Sequence, residues 1–146
     1  MTVEPDALRR ALEDPDENVR ADAAARLAEL GDPGALEACL RTLDDGADPA
    51  HLDITPAVRA LGRIGERALP ALLEPLGADA SMTRLHAQRA FESVVYARHG
   101  FQPGQGFPSA ADEAAARDDL IAVGYAYDAP AEERAAAVAR LRERLP

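Results

Sequence analysis

The chain has 146 residues, is 47% apolar and only 4% aromatic, and carries 26 acidic against 16 basic side chains, a formal net charge of -10. That much apolar content in one chain of this length excludes disorder and supplies a core for a single domain. The acidity argues against DNA or RNA as a ligand, because such binding rests on Lys and Arg neutralising phosphates.

Cys39 is the only cysteine, so no internal disulfide is possible. No run of about 18 apolar residues exists to span a bilayer. Met1–Asp6 shows no basic segment leading into an apolar one, which predicts a cytoplasmic, soluble protein without a secretory leader.

In chain order, Leu8 and Leu12 mark a short first helix ending near Glu13. Asp14 then serves as a helix cap, with Pro15 in the first position and Glu17 completing a capping box. Val19, Ala23, Leu27 and Leu30 form the buried stripe of this second helix, and Gly31 stops it. Asp32-Pro33 starts a third helix on Leu36, Leu40 and Leu43, broken at Asp44-Asp45-Gly46. Asp48-Pro49 starts a fourth, carrying Leu52, Val58, Leu61 and Ile64, with Pro56 predicted to kink it and Gly65 to end it.

Leu69, Leu72, Leu73 and Leu76 give a fifth helix with Pro70 in its opening turn. Residues 80–98 form the longest periodic segment, on Leu85, Phe91, Val94 and Val95. Gly and Pro exclude helix from His99 to Pro108. Ser109 caps a seventh helix reaching Val123, and the last runs from about Pro130 to Leu145.

The pattern recurs. Asp14-Pro15, Val19-Arg20, Leu27, Leu30 and Gly31 return as Asp48-Pro49, Val58, Leu61, Ile64 and Gly65. Arg84 and Arg134 fall 64 and 114 residues after Arg20. Such self-similarity predicts stacked units, none able to bury its apolar face alone. In this register the second unit lacks the arginine, because Ile54 stands where Arg20 would recur.

The Asp-Pro…Val-Arg…Leu-x-x-Leu/Ile-Gly pattern resembles the HEAT repeat, most closely the short bacterial HEAT-like repeats of phycobilisome lyases. The resemblance implies an all-α, right-handed α-α superhelix of about eight helices in three and a half hairpin repeats. It divides the chain into a cap helix (1–13), repeats at 14–46, 47–79 and 80–127 with a long loop at 99–108, and a second cap helix (128–146).

It also implies a non-enzymatic protein-binding scaffold, with the second helix of each hairpin on the concave face. On that face Glu37, Arg41, Asp44 and Glu74 form a mostly acidic strip, continued by Asp112 and Asp119. The partner expected there is another protein with a basic surface. The chain itself is expected to be a monomer. An accessory lyase- or chaperone-like role on a cofactor-bearing partner is the alternative that the lyase resemblance allows.

Phe101 and Phe107 either fold back on the stack or anchor a partner. His51, His86 and His99 match no metal-ligand spacing, and no cofactor motif or catalytic signature is present. Cys39 reads as a small core residue.

Overall fold

The computed structural model describes residues 4–146, so the first three residues of the predicted cap segment lie outside it. Eight α-helices make up the described chain: α1 (Pro5–Ala11), α2 (Glu17–Glu29), α3 (Ala35–Arg41), α4 (Pro56–Ile64), α5 (Leu69–Leu76), α6 (Ser81–Arg98), α7 (Ala110–Val123) and α8 (Ala131–Glu143). A 3-10 turn over Glu66–Ala68 leads into α5. The described residues contain two isolated bridges, Asp48 with His51 and Gln102 with Gly106, and no strand.

Local chemistry sets the helix ends, sometimes one signal away from where the sequence places them. Asp16, not Asp14, caps α2, its carboxylate accepting from the Asn18 amide at 2.8 Å. Asp14 instead accepts from the Asp16 amide at 2.8 Å and closes the turn before it. Pro15 therefore precedes the helix, and Glu17 opens it.

The larger difference is at α4. Pro56 does not kink a helix begun at Asp48-Pro49; it is the first residue of the helix. Proline has no N–H to lose there and its φ is already helical. Thr55 caps it, accepting from the Val58 amide at 3.2 Å. Asp48-Pro49 belongs to a closed turn, in which the Asp48 amide donates to the Ile54 carbonyl at 3.1 Å. Leu52, expected in the stripe, is consequently 60% exposed on that turn. In α2 the two ends of the predicted stripe are also exposed: Val19, in the first turn, by 38% and Leu30, the C-cap, by 50%.

α2 packs on α4, and α4 on α6, which makes the spine of the stack. α1 and α3 flank α2, and α3 also meets α4. The contact between α4 and α6 is close. A Cβ on Gly62 would lie 2.8 Å from the Ser93 Cβ.

Beyond the spine the arrangement closes: α5 packs on α6, α6 on α7, α7 on α8, and α8 back on α5. The core is continuous across all of this, from Leu8 in α1 to Leu141 in α8.

The recurring arginines repeat one local device. Arg20 donates to the carbonyls of Asp14 and Pro15 at 2.9 and 3.1 Å. Arg84 does the same to Ala78 and Asp79 at 2.9 and 2.8 Å, and Arg134 to Ala129 at 2.6 Å. Each ties the loop before a helix to that helix, satisfying carbonyls that have no helical partner.

Candidate functional site

An open groove of about 690 Å³ lies on one side of the stack. α3 and the turn after it form one wall, and α5, its following loop and the start of α6 form the other. Leu40, Leu43, Ala71 and Pro75 supply apolar surface between them. Five carboxylates line it, Glu37, Asp44, Asp45, Glu74 and Asp79, against one guanidinium, Arg41.

The carboxylates are not equivalent. Asp45 pairs with Arg20 at 3.0 Å. Asp44 accepts from the Thr83 hydroxyl at 2.6 Å and lies 2.7 Å from Nδ1 of His86. His86 is only 2% exposed, and its Nε2 is 2.9 Å from the Leu52 carbonyl. These two groups therefore brace the wall.

Glu37 and Glu74 are exposed and make no side-chain hydrogen bond or ion pair with another described residue. Asp79 is exposed and unpaired in the same way, so three of the five lining carboxylates have no side-chain partner among the described residues. Arg41, also in the lining, gives its guanidinium to Glu13 at 2.6 Å. That hydrogen bond is the main reason its basicity is raised, with Glu37 adding a smaller electrostatic contribution.

The structure thus brings Glu37, Arg41, Asp44 and Glu74 into one groove and places the other four candidates elsewhere. Asp112 closes the first turn of α7, its carboxylate accepting from the Ser109 hydroxyl at 2.8 Å while its amide donates to that hydroxyl at 3.1 Å. Asp119 lines a separate crevice of about 340 Å³, over Leu69, Phe91, Val123 and Leu141. There it meets His99 at 2.7 Å and Arg98 at 3.2 Å. The His99 hydrogen bond holds its carboxyl below the usual range, against partial desolvation and with help from Arg98.

Phe101 and Phe107 are partly buried and pack with Tyr96, with ring centroids 5.1 to 5.8 Å apart. That spacing is the favourable range for aromatic pairs.

Sequence reasoning missed Thr83, His86 and Arg89, which hold the 44–53 turn from α6. Arg89 binds Asp53 at 2.7 Å. Their spacing at 83, 86 and 89 is a one-face helical signal, but their partners lie 36 to 42 residues away, and no local pattern shows that pairing. Among the described residues no helix is long and apolar enough to cross a membrane.

A family model described as HEAT repeats matches residues 5–92, from α1 through most of α6. No curated protein and no solved structure matches the chain.

Proposed function

The chain belongs to the HEAT repeat family, and from that membership and the groove we propose that it is a non-enzymatic scaffold that binds a basic segment of another protein between α3 and α5. HEAT repeats generally mediate protein–protein interaction, and a stack of units offers extended surface for it. The observation that carries the reading is the pairing state of the groove. Asp44 and Asp45 are committed to the protein itself, whereas Glu37, Glu74 and Asp79 are exposed and unpaired in a lining that also carries apolar surface. A Lys or Arg side chain fits such a site, laying its aliphatic stem on Leu40 and Pro75 while its charge reaches a carboxylate.

The test is fluorescence polarisation with a short labelled oligoarginine peptide at low salt. The double reversal Glu37→Lys/Glu74→Lys weakens binding by at least about tenfold, since each reversal replaces an attraction of order 1 kcal/mol with a repulsion. The charge-matched double reversal Asp22→Lys/Glu29→Lys, on exposed positions of α2 outside the groove lining, leaves affinity within about twofold. Equal losses from both variants would mean that only the overall acidity of the protein attracts the peptide.

A further inference from the structure

We infer that Arg41 is the groove's own competing cation and that Glu13, outside the groove, holds it off the carboxylates a partner needs. The inference rests on the binding reading above and adds the regulation of that site.

The argument starts from helix spacing. Glu37 and Arg41 lie four residues apart in α3, acid first, which is the favoured order for an ion pair on a helix face. That pair is not made. The Arg41 guanidinium turns instead to Glu13, just past the end of α1 and 28 residues away in sequence. Glu37 still contributes electrostatically to Arg41, so the two remain close enough to interact.

One guanidinium therefore has two carboxylates within reach, one at each side. Bound to Glu13, it leaves Glu37 open to the groove. Released from Glu13, it falls to Glu37 by the local helix preference and neutralises the acid that would meet an incoming Lys or Arg.

Both partners are accessible, with side chains 48% and 72% exposed, so the choice is reversible and weakly biased. Weak bias is what a competitor of this kind requires, because a tightly buried pair would leave Arg41 permanently out of play. The rest of the lining offers no second cation to do the same task. Glu13 is thus a positioning residue: it touches no ligand and acts through Arg41.

The experiment is a double-mutant cycle with the same oligoarginine peptide, on the full chain. Neither side chain is part of the core, so the variants fold, which thermal unfolding checks. Glu13→Gln weakens peptide binding about twofold, the scale of an exposed helix-face ion pair. Arg41→Met tightens it by about twofold or more. In the Arg41→Met background, Glu13→Gln then has no further effect.

A Glu13→Gln loss of the same size in both backgrounds would overturn the inference, because Glu13 would be acting through its own charge. No change on Arg41→Met would overturn it as well. Both of these results leave the groove reading standing, whereas a wild-type chain that fails to bind the peptide removes both.

Discussion

Gly62 offers a test of the spine in which two known effects oppose each other. Within a helix, replacing Gly by Ala gains about 1 kcal/mol of propensity. Here the added Cβ would sit 2.8 Å from the Ser93 Cβ, with Ser93 backbone atoms at 3.7 and 3.8 Å behind it. A Cβ is fixed to its backbone and cannot rotate away, so α4 and α6 must separate. Overpacking of this kind costs about 1–3 kcal/mol.

The clash wins, and Gly62→Ala is expected to destabilise the chain by about 1 kcal/mol net, which is about 3 °C in Tm for a chain of this length. The decisive measurement is the sign reversal. In a Ser93→Gly background the obstructing atom is gone, and Gly62→Ala should stabilise by close to its full propensity gain of about 1 kcal/mol. Urea unfolding of the four proteins gives the coupling, expected near 2 kcal/mol. A wild-type background in which Gly62→Ala raises the urea midpoint would show that α4 and α6 do not approach closely at this point.

Two further expectations follow from side chains that bind more than one element. Thr55 is 1% exposed; it caps α4 through the Val58 amide and donates to the Leu43 carbonyl at 2.9 Å. Thr55→Ala removes both bonds and costs about 2 kcal/mol in urea unfolding, while Thr55→Ser retains most of that stability. The Arg89 hydrogen bond holds the Asp53 carboxyl below its ordinary range, against slight desolvation. A carboxyl lowered in the folded state contributes stability that is present above its unfolded value, about 3.9, and is lost as pH falls through the folded one. The stability difference between wild type and Asp53→Asn should therefore shrink on acidification below about pH 4, and a difference that stays constant would refute the linkage.

The sequence carries the number of helices well, because its stop signals are stereochemical. Gly31 and Gly124 adopt φ of 68° and 67°, where other residues are strained, and each lies at the C-terminal end of a helix. Start signals are less certain. Asp-Pro serves equally as a helix opening and as a turn, and at Asp48-Pro49 the turn prevails because Thr55-Pro56 offers a better cap seven residues later. For the groove, the periodicity of α3 places Glu37 and Arg41 together, and Asp44 follows in the turn after it. Which of them is free is decided by Glu13, Thr83 and His86, all remote in sequence. Asp112 and Asp119 share α7 and a heptad spacing, but α7 packs against α6 and α8 rather than beside α3 and α5, so helical spacing alone does not bring them into the groove.

The turn between α3 and α4 shows why the groove can hold a fixed shape although one wall is a loop. Arg59 stands at the fourth position of α4, as Arg20 does in α2, but its side chain makes no hydrogen bond to this turn. The turn's neighbours hold it instead: Arg20 binds Asp45, His86 meets Asp44 and the Leu52 carbonyl, Arg89 binds Asp53, and Thr55 binds the Leu43 carbonyl. These anchors come from α2, α6 and the α4 cap, so the turn cannot shift without breaking contacts to three separate elements. A loop pinned in this way loses little further entropy when a partner docks, and such preorganisation favours binding without any added contact. The same anchoring withdraws Asp44 and Asp45, so on the proposed reading the charge of a basic partner would meet Glu37, Glu74 and Asp79.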